Sequence, residues 1–232
     1  KDLQPANTWQ MQRNQNYTGK KSHADTDSPT SDSQEYMEWK VYTFHISYEG
    51  LAEKIWRNIA VSSNYRLDQL GYAVLAAFDT MAYHLFEFHY KDGRFEIPNE
   101  DADEEQIDMA VFKLHQLDLK IGDRLRMEYD FGTTQTFWIE LIGVEDMERG
   151  QGRRYPYITE GSGCGIIDDM SSDELQELIE QIDKTGKTEE PIYYNNRMMP
   201  WDYRWFELDN VNALFKGEIE LIEDGYAPFW FD

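Results

Sequence analysis

Residues 42–61 decide the fold: Tyr42-Thr43-Phe44-His45-Ile46-Ser47-Tyr48-Glu49-Gly50-Leu51-Ala52-Glu53-Lys54-Ile55-Trp56-Arg57-Asn58-Ile59-Ala60-Val61. Tyr42, Phe44, Ile46 and Tyr48 alternate with polar residues, the period of a half-buried strand. Glu49-Gly50 makes a turn, and Ile55, Arg57, Ile59 and Val61 alternate in a second strand, so the stretch predicts a hairpin. Ser62-Ser63-Asn64 ends it. Leu67, Leu70, Val74, Ala77 and Phe78 then fall at helical spacing and predict a helix over 67–79.

The same patterns continue outward. Residues 84–90 read as a strand with His84, Phe86 and Phe88 on one face, and Lys91-Asp92-Gly93 turns the chain into 94–97. Leu125, Met127, Tyr129 and Phe131 alternate, as do Phe137, Ile139 and Leu141, which predicts a second hairpin around Gly132-Thr133-Thr134. Strand, strand, helix, strand, strand predicts an α+β fold, a β-grasp-like mixed sheet with a crossing helix. Residues 42–61, 124–131 and 137–144 share that sheet, and alternation implies one covered face.

The remainder is less regular. Residues 1–38 are polar and poor in aliphatics, so they read as a flexible arm. Residues 39–232 read as one domain, a core over 39–148 and a helical, aromatic section over 149–232. Residues 99–108 read as an acidic loop, 111–117 as a short strand, Lys120-Ile121-Gly122-Asp123 as a turn and 150–165 as a loop. Ser171-x-x-Glu174 is a capping box before a helix with the stripe Leu175, Leu178, Ile179 and Ile182. An aromatic stretch follows, with Tyr193, Tyr194, Trp201, Tyr203, Trp205 and Phe206. A short helix over 209–215, a last strand over 218–222 and the tail Phe229-Trp230-Phe231 complete the reading.

Composition narrows the function classes. The 232 residues are 41% hydrophobic and 15% aromatic, enough for a substantial core. No apolar run approaches a membrane span. Lys1-Asp2-Leu3-Gln4-Pro5 lacks the apolar run of a signal peptide, and the missing initial Met fits a fragment or processed form. The single cysteine, Cys164, forms no internal disulfide and excludes a multi-cysteine zinc site. A lone thiol fits a cytoplasmic protein. The net charge of -23 repels phosphate backbones, so direct nucleic-acid binding is not expected.

Several motifs together resemble the plasmid pRiA-type open-reading-frame-three-like family, also described as a TnpR-type passenger of insertion elements. Relatives carry Ile-Trp-Arg-Arg; this chain has Ile55-Trp56-Arg57-Asn58. Their helix beginning Thr-Leu-x-x-Leu matches Leu67 and Leu70, with Arg66 in place of Thr. Their His-Leu-x-x-Phe matches His84-Leu85-Phe86-Glu87-Phe88. Of Tyr-Asp-Phe-Gly-Asp-x-Trp-x-His, Tyr129-Asp130-Phe131-Gly132 is intact, while Thr133, Gln135 and Phe137 replace Asp, Trp and His. Pro-Pro-Glu-Asp corresponds to Gly165-Ile166-Ile167-Asp168, and Phe-Asp-Leu-x-x-Val-Asn to Phe206-Glu207-Leu208-Asp209-Asn210-Val211-Asn212. The resemblance spans roughly residues 40–215. It implies an α+β fold and an association with mobile elements, and supplies no established activity.

Candidate catalytic residues are His84, Asp130 and Asp168. For His84 the plainer reading is a hydrogen-bonded histidine at the core edge; the functional one pairs it with a carboxylate. Asp130 either works as a carboxylate or accepts hydrogen bonds from the amides of the 132–134 turn. Asp168-Asp169 is a possible Mg²⁺ pair, though such pairs before a helix more often cap or solvate it. No metal site follows from the spacing: His84 and His89 are five apart, and a strand sends them to opposite faces. Gly161-Ser162-Gly163-Cys164-Gly165 lacks the lysine and spacing of a phosphate loop. Trp56, Arg57, Tyr129, Trp138, Trp201 and Trp205 are the candidate binding residues; Trp56 either covers the second side of the sheet or lines a groove together with Trp138.

The sequence favours a non-catalytic accessory or protein-binding module of mobile DNA, with a protein partner and no cofactor. The alternatives are a hydrolase-like enzyme with a pocket near His84, Asp130 and Asp168, and an acidic DNA mimic that sequesters a basic protein. The non-catalytic reading rests on Thr133, Gln135 and Phe137 standing where relatives carry polar residues, and on the plainer structural reading of His84, Asp130, Asp168 and Cys164. It loses that support if His84 lies within about 4 Å of Asp130 or Asp168 in a solvent-accessible cleft.

Overall fold

The alternation of 42–61 becomes β1 (Lys40–Tyr48) and β2 (Trp56–Ser62), paired antiparallel with Phe44 opposite Ile59 and Ile46 opposite Arg57. The computed structural model describes residues 39–97, 106–148, 150–188, 192–194 and 197–227. The arm expected over 1–38, most of the acidic loop over 99–108 and the tail Phe229-Trp230-Phe231 lie outside the described residues.

Around this hairpin an eight-stranded sheet assembles. Its further strands are β3 (Phe86–Tyr90), β4 (Gly93–Glu96), β5 (Ile107–Asp108), β6 (Arg124–Tyr129), β7 (Gln135–Asp146) and β8 (Tyr157–Ser162). The order is β5-β4-β3-β6-β7-β1-β2-β8, and the parallel β4–β5 pair makes the sheet mixed. The α+β expectation holds, and the two predicted hairpins do share one sheet.

Register explains the face that is covered. Phe44, Ile46, Ile59, Phe86, Phe88, Leu125, Met127, Phe137 and Ile139 project to one side and are all buried. Each such side chain removed from water stabilises the fold by about 1.5–3 kcal/mol. The opposite face carries His45, Ser47, Trp56, Asn58, Arg126 and Trp138, and stays largely polar.

Helix α1 (Leu67–Ala77) covers the apolar face and is buried along nearly its whole length. It can be apolar all round because helix α3 (Leu208–Tyr226) covers it in turn. Tyr72 of α1 meets the Phe86 ring edge-on at 5.8 Å and Tyr226 of α3 at 5.3 Å. Helix α2 (Ser172–Thr185) begins as the capping box predicts: the Glu174 amide donates to the Ser171 hydroxyl. No helix among the described residues is long and apolar enough to cross a membrane.

Four local expectations are corrected. Residues 111–117 are not a strand: Val111 ends one 3₁₀ turn, Met109–Val111, and Leu114–Leu117 form a second, with extended Phe112 and Lys113 between them. The Asp108 carboxylate caps the first through the Ala110 amide, and three-residue spacing buries Leu114 and Leu117 together. Residues 218–222 belong to α3, where Phe215, Ile219, Ile222 and Tyr226 form a helical stripe and Leu221 is 66% exposed. The loop expected over 150–165 contains β8, an edge strand with one well-buried side chain, Ile158, and hence no readable period. The strand expected over 84–90 starts at Phe86, leaving His84 in the preceding loop. Beyond the main sheet, β9 (Ile192–Tyr194) and β10 (Arg197–Met199) form a two-stranded sheet.

One motif residue guards the β8 edge. Asn212 of α3 accepts from the Ile158 amide and donates to the Ile158 carbonyl, both at 2.8 Å. Its side-chain amide replaces one residue of a neighbouring strand and blocks further pairing there.

Candidate functional site

Three segments meet at one corner: the loop 79–85 after α1, the turn 130–134 between β6 and β7, and the turn 167–170 before α2. Left-handed backbone recurs in all three, at Asp79, Ala82, Asp130, Thr134 and Asp169, with φ between 52° and 62°. Aspartate tolerates that conformation through local side-chain hydrogen bonds. Thr134 is β-branched, and holding it there costs about 1–3 kcal/mol that the surrounding contacts must offset.

Those contacts are specific. Gln135 of β7 donates to the carbonyls of Ile167 (3.0 Å) and Met170 (2.9 Å), clamping the 167–170 turn. Asp168 receives the Tyr129 hydroxyl at 2.6 Å and the Met81 amide at 2.9 Å, joining that turn to β6 and to the loop carrying His84. The Tyr226 hydroxyl donates to the His84 carbonyl. Asp130 accepts from the Gly132 amide at 3.0 Å and from the Thr133 hydroxyl.

His84 is the centre of the corner. Its Nε2 lies 3.0 Å from Asp169 Oδ1 and its Nδ1 3.6 Å from Asp130 Oδ1. The Tyr83 hydroxyl donates to the other Asp169 oxygen, and the Tyr83 ring lies 4.2 Å from the imidazole, centroid to centroid. Side-chain exposure falls from 64% at Asp169 through 26% at His84 to 7% at Asp130. The deepest carboxylate is therefore fixed and the outermost is reachable.

Electrostatics follow the same gradient. Burial pushes the Asp168 carboxyl up from the usual range, against its two hydrogen bonds. The Tyr83 hydroxyl, with His84 beside it, holds the Asp169 carboxyl below that range. Burial, then the adjacent Asp168 charge, pushes the Tyr129 hydroxyl up.

Of the predicted catalytic residues, His84 and Asp130 come together. Asp168 makes no direct contact with the ring and instead ties the loops, while its neighbour Asp169 reaches Nε2. The strand face proposed for His84 is corrected: the residue precedes the strand. Asp130 caps its own turn, as the structural reading had it, and faces His84 as well.

The predicted binding residues divide. Arg57, Tyr129 and Trp201 are at most 1% exposed, so they build the interior and present no surface to a partner. Trp56 and Trp138 flank Ser47 on neighbouring strands of the polar face. Trp205 is 54% exposed. Cys164 is buried, and burial pushes its thiol far up from the usual range. Ellman's reagent is expected to leave native Cys164 unmodified while titrating one thiol per chain in denaturant.

A second cluster escaped the sequence reading. Glu87, His89 and Glu128 converge on the polar face, where Arg94 pairs with Glu87 at 2.9 Å and Arg126 with Glu128 at 2.9 Å. Two-residue spacing puts Glu87 and His89 on one face, but only the β3–β6 register brings Glu128 beside them.

The family model described as plasmid pRiA4b ORF-3-like protein matches residues 40–212. Among solved structures, the protein of unknown function MM3350 from Methanosarcina mazei Go1 superposes with a TM-score of 0.60 at 21% identity, covering 75% of this chain and 97% of that one. That likeness speaks to the fold. No curated protein is similar at a significant level.

Proposed function

Because the chain belongs to the plasmid pRiA4b ORF-3-like family, we propose that it is an accessory protein of plasmid-borne or mobile DNA whose working part is the His84 corner, acting as a hydrolase-like acid–base centre. One observation carries this reading: the His84 ring, partly open to solvent, lies within 3.6 Å of Asp130 and 3.0 Å of Asp169. His84 and Asp130 thus lie inside the separation of about 4 Å that weighs against the non-catalytic expectation.

Asp130 is deep and pinned by its turn, so it holds a fixed carboxylate 3.6 Å from Nδ1. Asp169 is exposed and gives way to a ligand approaching Nε2. A histidine beside a buried carboxylate takes a proton from water or a hydroxyl, which contributes about 10²–10⁴-fold to a hydrolytic step. The test is a panel of small ester, amide and phosphoester substrates with wild type, His84→Gln and Asp130→Asn, each confirmed folded by circular dichroism. Wild-type turnover is expected to fall at least about 100-fold in His84→Gln. Turnover unaffected by His84→Gln, or none on any substrate class, overturns the reading.

A protein-binding role has separate support in Trp56 and Trp138, on either side of Ser47 on the polar face, and in exposed Trp205. On this reading the partner is a protein and not DNA, given the charge of -23. A role as a TnpR-type passenger or as an acidic DNA mimic would act through such a partner.

A further inference from the structure

We propose that His84, Asp130 and Asp169 bind one divalent transition-metal cation. The proposal rests on the same corner as the acid–base reading and changes its base: a ring nitrogen that ligates a cation no longer takes a proton, and water bound to the ion supplies that role.

Geometry is the first ground. One imidazole nitrogen and one oxygen from each carboxylate all lie within 4.8 Å of one another, and they come from three separate segments. Asp169 Oδ1 lies 3.0 Å from Nε2 and Asp130 Oδ1 lies 3.6 Å from Nδ1, so as the ring stands each ring nitrogen has one carboxylate beside it. Bonds of about 2.0–2.2 Å to nitrogen and carboxylate oxygen need ligand atoms about 3–4 Å apart, so a cation on one ring nitrogen keeps the nearer carboxylate and draws the farther one in by rotation of its side chain or of the imidazole.

The second ground is a mismatch of donors and acceptors. A neutral imidazole has one N–H and one lone pair. Both ring nitrogens of His84 face carboxylate oxygens, which only accept. Whichever tautomer is present, one nitrogen lone pair points at a carboxylate. A positive charge shared by the three groups removes that opposition, and a metal ion uses the lone pair as a ligand.

The third ground is local charge. Asp130, Asp168 and Asp169 gather at this corner, and among the described residues no lysine or arginine forms an ion pair with any of them; His84 is the partner of two. The Glu87–His89–Glu128 cluster makes the contrast. It has similar ligand types, but Arg94 and Arg126 already neutralise it. A cation entering there would displace or oppose two guanidinium groups.

The donor set of one nitrogen and two oxygens, without a thiolate, suits Zn²⁺ or Mn²⁺ better than Mg²⁺, which prefers oxygen ligands and keeps its waters. Three protein ligands leave positions for water, and water bound to such an ion loses a proton more readily.

The experiment titrates EDTA-dialysed full-length protein with ZnCl₂ by calorimetry and with MnCl₂ by electron paramagnetic resonance. Wild type is expected to bind one equivalent. His84→Gln and Asp169→Asn should each weaken binding by at least about tenfold, while Glu128→Gln at the neutralised cluster leaves it unchanged. Asp169 is exposed, so its variant stays informative if a substitution at buried Asp130 disturbs folding. Absence of binding, or binding that both variants leave unchanged, overturns the proposal. His84-dependent turnover that persists in EDTA rejects the cation and keeps the acid–base function. Stoichiometric binding lost in the variants, with no turnover, does the reverse.

Discussion

Replacing Arg57 by Met is expected to lower the unfolding free energy by about 3–5 kcal/mol. The guanidinium is fully buried among three backbone carbonyls. Nε donates to Ala77 O at 3.0 Å, and Nη1 to Trp56 O at 2.8 Å and Ser162 O at 2.7 Å. It also lies 5.1 Å from the Phe78 ring and 4.3 Å from the Phe206 ring. One side chain thus joins the end of α1, β2, β8 and the segment entering α3. Met fills most of the volume but leaves those carbonyls without the donors that Arg57 supplies, at about 1–3 kcal/mol for each buried group left unpaired. Lys keeps the charge without the planar fork, so Arg57→Lys should fall between Met and wild type. Urea unfolding at 25 °C is the measurement, read as a lower midpoint at unchanged slope. A change below about 0.5 kcal/mol for Arg57→Met would mean that Arg57 is a passenger of the fold.

Gly165→Ala is expected to cost about 2–4 kcal/mol and to disturb the His84 corner as well. A Cβ at this position would stand 2.2 Å from the Phe78 carbonyl oxygen and 2.5 Å from Asp79 Cβ. Neither neighbour can retreat easily, because the Phe78 carbonyl also accepts the Ile166 amide at 2.9 Å. Accommodating the methyl means lifting the 163–170 segment from the end of α1, which carries Asp169 away from His84. Denaturation gives the stability change. The Asp169–His84 contact is read from the His84 imidazole resonances in a proton–nitrogen spectrum, where the variant should differ from wild type. A variant as stable as wild type with unchanged His84 resonances would show that the loop has slack.

These two residues show how far local pattern carries. Arg57 stands in an apolar alternation, at the position where Ile59 and Val61 predict an inward side chain. Parity therefore places it in the interior, yet parity says nothing about three carbonyl acceptors contributed by residues 56, 77 and 162. The glycines at 161, 163 and 165 fall in the stretch that reads as a loop. In the fold they are close-approach positions; a Cβ on Gly163 would meet the Lys54 carbonyl at 2.4 Å.

Strand alternation, the α1 stripe and the Ser171–Glu174 cap were legible because each depends on neighbours two to four residues away, and the burial of one face follows from that spacing. Edge strand β8 and the outer half of α3 were not. β8 buries one side chain well, and α3 carries the alternating pair Ile219 and Leu221 that imitates a strand until Phe215 and Tyr226 are counted with them. The candidate site was legible as residue types: His84, Asp130 and the Asp168-Asp169 pair all stand out. The tertiary structure alone decided which of them meet. Residues 84, 130 and 169 lie on three loops whose paths depend on Gln135, Tyr129 and Tyr226, and one step along the chain exchanges a buried tie, Asp168, for an exposed carboxylate against the imidazole, Asp169. Periodicity encodes which side of an element faces the core; it carries no information about the direction of a side chain on a turn, which long-range hydrogen bonds impose.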